Sequence, residues 1–308
     1  MTDTHTADAH SAFEELRGRL FGIAYRMTGS VTDAEDALQD AWLKWRSVDP
    51  TTVRNPEAFL VSLVTRLSID RLRSAQLRRE TYVGPYLPEP IIEGATGVPP
   101  VATDLAHPQP ADPERAAELS DSLTFAFLVL MDELGPEDRA VFLLHDVFGY
   151  SFDEVAEAVG STTDAVRQRA SRARRRLDED RVELRRASDE DEQRVLGALM
   201  VAMAEGDIPG LMELLSPDVV QLDDAGPNRR AGRRPIVGPH RVARLMVNLA
   251  KRLPAEQTFE VVRVNGSPGV LLSLDGKPDI VLSFDLAPDG RVRRIWSQLN
   301  PDKLTHLG

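Results

Sequence analysis

Residues 138–177 carry three short helical patterns in succession, separated by glycine and polar positions. In the third, apolar residues from Val166 to Leu177 recur at spacings of three and four and form one narrow stripe. Gly160 lies before it and favours the end of the second helix. Two crossed helices around a glycine, the second with a basic outer face, are typical of a helix-turn-helix that binds DNA.

The outer face of this third helix carries the groups that DNA recognition needs. Arginine and glutamine fit base edges in the major groove, and clustered arginines neutralise phosphates. The alternative interpretation is a solvated basic helix on a small bundle. The candidate DNA contacts on or beside this face are Arg167, Gln168, Ser171, Arg172 and Arg175.

Residues 11–79 predict a first domain that is entirely helical. Thr32 and Glu35 have the spacing of a capping box at the start of its second helix. Opposite the apolar positions, that helix shows an acidic face with one apolar residue, which is either simply solvated or suited to a basic helical partner. This face consists of Asp36, Gln39, Asp40 and Leu43.

Asn55 and Pro56 predict the cap and the first position of a third, long helix. Its second half is rich in arginine, including Arg66, Arg71 and Arg73. These cations either stabilise the carboxyl end of a surface helix or form a surface for the DNA backbone.

Eight prolines between residues 80 and 113 interrupt any helical period and predict an extended linker. Its first part combines apolar side chains with a stiffened backbone, so we expect it to dock on a surface. Residues 114–137 predict a helix that leads into the helix-turn-helix, which makes 114–180 a second helical domain. The apolar anchors of the linker are Tyr82, Tyr86, Leu87, Ile91 and Ile92.

Residues 189–308 have a different pattern. Two helices, a short strand at 219–224, a polar loop and a helix near 239–252 precede four strand patterns. Asn-Gly and Asp-Gly pairs separate these strands, as in a meander of antiparallel hairpins. Helices followed by a curved antiparallel sheet form an α+β domain that can enclose a pocket.

Composition narrows the function classes. The 308 residues carry a net charge of −12, so nucleic-acid binding has to come from local basic patches. The chain has no cysteine, and its six histidines lack ligand spacing, so we expect no metal and no cofactor. A polar start and no membrane-length apolar run favour a soluble, cytoplasmic protein without membrane contact.

Two stretches resemble a known family. DAEDALQDAWLKW followed by RLSIDRLR resembles region 2 of extracytoplasmic-function sigma factors, and LGPEDRAVFLLHDVFGYSFDEVAEAVGSTTDAVRQRASRARRRL resembles their region 4. Residues 189–308 resemble SnoaL-like domains of the nuclear-transport-factor fold, an extension found in one subgroup of these factors. YLPEP at 86–90 and NPDKL at 300–304 are similar to that subgroup's signatures, whereas DDAGPNRR departs from its glycine-rich loop.

The resemblance implies a multidomain protein with two all-α sigma domains and a C-terminal α+β domain. Its implied activity is that of an alternative sigma factor, not an enzyme, with core RNA polymerase and promoter DNA as partners. The acidic face at 36–43 would bind the β′ clamp helices, region 4 would meet the β flap, and the outer face at 167–175 would read the −35 element. The implied −10 residues are Asn55, Arg66, Asp70, Arg71 and Arg73.

The C-terminal domain leaves two hypotheses open. In the first it regulates in cis, through contacts between the linker signature and the tail signature. A rim charge pair between Lys303 and Glu89 would be worth only about 0–1 kcal/mol, so Tyr86→Ala should matter more than Lys303→Glu. The residues assigned to this contact are Tyr86, Leu87, Pro88, Glu89, Pro90, Asn300, Pro301, Asp302, Lys303 and Leu304.

In the second hypothesis the domain keeps a cyclase- or isomerase-like activity or binds an unknown small ligand. Asp223, Asp224, His240 and Trp296 would then line its pocket. The opposing interpretation is that the two aspartates simply end a strand and begin a loop. A third hypothesis, an ordinary helix-turn-helix repressor, gives no reason for the helical domain at 11–79.

Overall fold

The computed structural model describes residues 2–49, 52–79, 82–93, 121–179, 188–227, 229 and 231–308. The chain divides into two compact units. The described part of the first unit is 2–49, 52–79, 121–123 and 127–179, and that of the second is 82–93, 124–126, 188–227, 229 and 231–308. Residues 94–113 of the predicted linker and 114–120 of the predicted helix lie outside the described residues.

The first unit begins with three helices, α1 (Thr2–Thr28), α2 (Val31–Trp45) and α3 (Pro56–Arg79). Gly29 has φ 68° and ends α1, as its position in the sequence predicts. The predicted capping box of Thr32 and Glu35 is wrong. Ser30 is the N-cap of α2, because its side chain accepts the Asp33 amide and the helix starts two residues earlier than the box requires.

Four further helices lead through the helix-turn-helix: α4 (Phe125–Leu130), α5 (Pro136–Phe142), α6 (Phe152–Val159) and α7 (Thr163–Glu179). A 3₁₀ turn (Met131–Glu133) follows α4, and a π-helical turn (Leu143–Val147) follows α5. The single helix predicted over 114–137 is therefore wrong in its described part, since turns at 122–124 and 131–133 interrupt it.

The predicted helix-turn-helix forms around Gly160, whose φ of 68° ends α6 in the left-handed conformation. Ser151 and Glu154 make a reciprocal capping box at the start of α6, and Thr162 accepts the Ala165 amide at the start of α7. The apolar stripe of α7 packs inward as predicted, with Val166 and Ala170 fully buried.

Helices of the two sigma-like regions pack together within the first unit. Buried Arg26 of α1 donates to the Ser122 hydroxyl at 2.7 Å, and buried Arg139 of α5 donates to the Met27 carbonyl at 2.8 Å. Desolvation lowers the pKa of Arg26 to about 9. Both guanidinium groups join a helix of region 2 to residues that follow the linker.

The second unit has helices α8 (Asp189–Glu205), α9 (Ile208–Leu214) and α10 (Pro239–Ala250). Its strands are β1 (Leu215–Asp224), β2 (Ile236–Val237), β3 (Gln257–Val264), β4 (Ser267–Leu274), β5 (Lys277–Leu286) and β6 (Val292–Gln298). The strand order is β2-β1-β6-β5-β4-β3, and α8, α9 and α10 cover one face around a common apolar core.

The predicted meander forms, with Asn265 and Asp275 at φ 53° and 52°, each followed by a left-handed glycine. The sheet is not antiparallel throughout, however. β1 runs parallel to β6, which brings the first strand of the domain beside the last, and β2 lies within what was predicted as a loop. Among the helices that the structure describes, none combines the length and the apolarity that a membrane span requires.

Candidate nucleic-acid interface and linker contacts

The arginines of α7 differ in the ion pairs that they form. Arg169 pairs with Asp138 at 2.7 Å, Arg174 pairs with Asp146 at 2.6 Å, and Arg176 lies 3.4 Å from Glu133, so these three turn towards neighbouring elements. The five predicted DNA contacts are all exposed, as are Arg174 and Arg176. The predicted contacts are Arg167, Gln168, Ser171, Arg172 and Arg175.

Two of these arginines keep only loose contacts. Arg167 lies 3.2 Å from Asp164, one turn away on the same helix, and its guanidinium lies over the Phe152 ring. Arg172 is 3.9 Å from the Asp138 carboxylate, at the limit of an ion pair. Both side chains are more than half exposed, so leaving these partners for DNA costs little.

The predicted polymerase-binding face of α2 is exposed at Asp36, Gln39 and Leu43, and Leu43 keeps 49 % of its surface open. Asp40 is half-buried and accepts from Arg71 at 2.5 Å, while Asp36 lies 3.8 Å from the same guanidinium. The structure thus brings a predicted −10 residue, Arg71, against the predicted polymerase-binding face.

The other predicted −10 residues follow α3 from its first turn. Asn55 caps the helix by accepting the Ala58 amide at 3.1 Å. Arg66 donates to the carbonyls of Glu157 and Ala158 at the end of α6, at 2.8 and 3.0 Å.

Arg73 bonds both to Asp70, one turn earlier on α3, and to Glu137 at the start of α5. These contacts, led by the hydrogen bond that Arg73 donates to Glu137, raise the pKa of Arg73. Two arginines of the predicted −10 surface, Arg66 and Arg73, therefore bond to region 4 helices.

In the second unit, Lys303 of the tail forms the centre of a cluster with the linker. Its ammonium group lies 2.7 Å from the Asp224 carboxylate, donates to the Leu87 carbonyl at 2.5 Å and sits 3.1 Å from the centre of the Tyr86 ring. Asp224 also accepts the Leu87 amide at 2.8 Å and the Tyr82 hydroxyl. We call these five residues the linker clamp.

Further bonds extend the linker clamp in both directions. Gln298 at the end of β6 donates to the Pro88 carbonyl at 3.0 Å, and the His306 ring nitrogen lies 2.7 Å from the Pro90 carbonyl. Asn300 donates to the Tyr82 hydroxyl at 3.0 Å. Of the remaining predicted residues, Glu89 and Leu304 are buried, whereas Pro301 and Asp302 are exposed.

The expectation of a weak rim charge pair is wrong for Lys303. Its side chain is 7 % exposed and that of Asp224 is fully buried, so the pair lies inside the domain. Removing one partner of a buried pair leaves a charge without compensation, which costs far more than breaking a surface pair. Lys303→Glu, which would place two carboxylates together, is therefore expected to be more damaging than Tyr86→Ala.

A second contact on the same face of β6 was not predicted. Phe125, at the start of α4, is fully buried and meets the Trp296 ring edge-on at 6.4 Å between centroids. Trp296 donates its indole N–H to Asp285 at 2.7 Å, and burial raises the pKa of that carboxyl to about 6. No sequence pattern pointed to Phe125, because it lies in an apolar helix where a core position is the ordinary interpretation.

Trp296 and Gln298 are two residues apart, so their side chains lie on the same face of β6. Phe125 contacts the first and the linker residue Pro88 bonds to the second. Both ends of the segment that joins region 2 to region 4 are thus held on one face of the C-terminal sheet.

The four residues predicted to line a catalytic pocket do not come together. Asp223 and Asp224 are neighbours on β1 and so point to opposite faces of the sheet. Asp223 accepts from Gln221, and burial raises its pKa, whereas His240 is exposed at the start of α10. Among the residues that the structure describes, no three histidine or carboxylate side chains are grouped as a metal site requires.

The helical part of the chain matches two models of one protein family. The family model described as Sigma-70 region 2 matches residues 12–78, and the one described as Sigma-70, region 4 matches residues 124–177. These ranges correspond to α1–α3 and α4–α7. The helical part of the chain is therefore that of a sigma-70-type transcription initiation factor, which associates with RNA polymerase and binds promoter DNA.

Two relatives of the chain are extracytoplasmic-function sigma factors. The ECF RNA polymerase sigma factor SigJ of Mycobacterium tuberculosis is 37 % identical over 303 residues, which cover 96 % of this chain and 93 % of SigJ. The probable ECF sigma factor SigI of the same species is 32 % identical over 217 residues, covering 70 % of this chain and 69 % of SigI.

A crystal structure of M. tuberculosis SigJ matches at a TM-score of 0.71 and 34 % identity, covering 97 % of this chain and 99 % of that one. The chain belongs to the extracytoplasmic-function RNA polymerase sigma factors and directs transcription initiation. The predicted resemblance and fold class, with two helical sigma domains and a C-terminal α+β domain, are confirmed.

Proposed function

We propose that α7 reads the −35 element through the five outward residues at 167–175, and that Asn55 with the exposed side of α3 contacts the −10 element. The acidic face of α2 would bind the β′ clamp helices of RNA polymerase, and region 4 would bind the β flap. Both contacts would form in the cytoplasm, where RNA polymerase transcribes. The support is the exposure of the five α7 residues, of Asn55, and of Asp36, Gln39 and Leu43 on α2.

The −10 surface in this scheme competes with region 4. Arg66 and Arg73 each bond to a region 4 helix, and neither guanidinium can make those bonds and a phosphate contact with the same N–H groups. Where promoter phosphates take these N–H groups, the bonds of α3 to α5 and α6 open. This gives the free chain a closed form and the promoter-bound chain an open one.

The C-terminal domain would control this activity in cis by holding the linker. The observation that carries the proposal is the linker clamp, in which buried Lys303 binds Asp224, the Leu87 carbonyl and the Tyr86 ring together. Phe125 is held on the same sheet. A domain that grips both ends of the linker can set how far regions 2 and 4 separate, either favouring or opposing the spacing that a promoter demands.

Run-off transcription with core RNA polymerase tests this control. The intact chain is compared with a chain lacking 189–308, with Lys303→Met, and with Lys277→Met as the matched control at an exposed lysine of the same domain. Templates whose −35 to −10 spacer differs by one or two base pairs are transcribed in parallel.

We expect the truncation and Lys303→Met to change the yield and to broaden the tolerated spacer lengths, and Lys277→Met to behave like the intact chain. A higher yield would mean that the clamp restrains the sigma regions, and a lower one that it presents them at the required spacing. If the truncated chain and Lys303→Met both transcribe like the intact chain on every template, cis control is refuted.

A further inference from the structure

A stretch of the C-terminal domain has cations but no acidic residue. Residues 225–255 contain eight Lys and Arg side chains and no Asp or Glu, in a chain whose net charge is −12. Random mixing in so acidic a chain would place several carboxylates among these cations. The stretch therefore concentrates positive potential in a part of the molecule outside both sigma regions.

The fold places these cations along one edge of the sheet. α10 packs on β1 and β2 through its apolar side, with Val242, Ala243 and Met246 buried. Its opposite side carries Arg241 and Arg244, both exposed.

Asn248 and Lys251 continue the same row at spacings of four and three, over a length of about 15 Å at 1.5 Å per residue. The basic surface, as we define it, consists of Arg233, Arg234, Arg241, Arg244, Lys251 and Arg252, all of them exposed.

The basic surface lacks the neutralising partners that other cations of the domain have. Arg291 pairs with Asp289 at 2.6 Å, and Arg293 pairs with Asp218 at 3.1 Å. In the part of the chain that the structure describes, Arg229 of this stretch pairs with Asp279 at 2.9 Å, whereas no ion pair involves the six basic-surface residues. Their charge therefore remains available to an external polyanion.

We propose that the basic surface binds the phosphate backbone of double-stranded DNA, as a contact additional to those of regions 2 and 4. Five of its six cations are arginine, whose planar fork matches phosphate oxygens. A 15 Å row spans about four phosphates of one strand at 3.4 Å per charge. The row itself carries only Arg, Asn and Lys. The exposed apolar residues near it in the chain, Val237, Leu249 and Leu253, include no aromatic side chain, which a protein–protein interface favours at its centre.

Fluorescence anisotropy with the full chain and labelled duplexes tests the proposal without polymerase. One duplex carries the promoter, and another of equal length has a random sequence. Arg241→Ala/Arg244→Ala is compared with Arg194→Ala/Lys277→Ala, which removes the same charge from exposed positions of the same domain. Arg241→Lys/Arg244→Lys keeps the charge and reports any loss caused by misfolding.

We expect the first variant to weaken binding to both duplexes at least about fivefold near 0.1 M salt. The slope of log affinity against log salt should fall by about 1.8, since each lost phosphate contact removes about 0.9. The matched control should bind like the intact chain, and the lysine variant should stay within about twofold of it. Because a phosphate contact carries no sequence information, discrimination between promoter and random duplex should be preserved.

Two outcomes would overturn the proposal. In one, the alanine variant keeps the affinity and salt slope of the matched control. In the other, it loses affinity for core polymerase in the absence of DNA while DNA binding is unchanged, which would assign the basic surface to a protein partner. A chain that fails to discriminate promoter from random duplex, yet still loses affinity through the alanine variant, would refute the −35 assignment and leave this proposal standing.

Discussion

Replacing Lys303 by methionine should free the linker from the C-terminal sheet while the sheet itself stays folded. Methionine keeps most of the length and the packing of the lysine stem but cannot neutralise Asp224, which is fully buried. Breaking one side of a buried ion pair costs about 3–5 kcal/mol. The least costly relief for Asp224 is to reach water, and the linker that covers it has to open for that.

Hydrogen exchange of the Leu87 amide measures this opening directly, because that N–H donates to Asp224 at 2.8 Å. A local destabilisation of about 3 kcal/mol corresponds to roughly a hundredfold faster exchange. Peptides covering 82–93 should lose protection in Lys303→Met, whereas peptides covering β4 and β5 should not. Lys277→Met, at an exposed lysine, serves as the control.

A double variant separates charge from packing. Lys303→Met with Asp224→Asn removes both charges, and asparagine still offers one oxygen to the Leu87 amide, so part of the lost protection should return. If exchange at 82–93 is the same in Lys303→Met and in the intact chain, the ion pair does not hold the linker and the reasoning fails.

Three further predictions follow from single side chains. Burial raises the pKa of Asp285 from 3.8 to about 6, so its protonated form stabilises the fold below about pH 4 and this stabilisation is lost as pH rises through 6. Asp285→Asn should therefore raise the free energy of unfolding at pH 7.5 by about 2–3 kcal/mol. The free energies of the variant and of the intact chain are measured by urea denaturation from pH 4.5 to 7.5, and a difference that is the same at every pH would contradict this. Leu43→Ala should weaken binding to core polymerase without lowering the unfolding midpoint, because the side chain is half-exposed; equal affinity would remove it from the interface. Arg172→Ala should relax −35 base preference by about 1–3 kcal/mol in gel-shift assays, while Arg174→Ala, whose side chain pairs with Asp146, should not; an unchanged preference would leave Arg172 with phosphate contacts only.

Local patterns were enough to place the helices and the hairpins. The α7 stripe, Gly160 and the Asn265–Gly266 turn each depend on the side-chain period or on a left-handed backbone, and both are properties of a few neighbouring residues. Local signals failed where two of them competed. Thr32 and Glu35 fit a capping box, but the Ser30 side chain accepts the Asp33 amide, so α2 begins at Val31.

The family resemblance came from motifs that are contiguous in the chain. It identified the functional faces of α2, α3 and α7 from sequence motifs alone, independently of the residues that surround them in the fold. The surroundings matter for Arg66 and Arg73, which bond to α5 and α6 more than sixty residues away. No periodicity can indicate such contacts, because their partners are set by the packing of separate helices.

For the C-terminal domain, the sequence alone determined its α+β class and marked both the linker and the tail signatures. Only the tertiary structure decided that Lys303 is buried against Asp224 and that Phe125 shares the outer face of β6 with the linker. The reason is the parallel pairing of β1 with β6, which brings residue 224 beside residue 298 at one end of the sheet. Burial and ion pairing across such distances are properties of the assembled sheet, and the free energy of a charge pair depends on them far more than on the identity of its two residues.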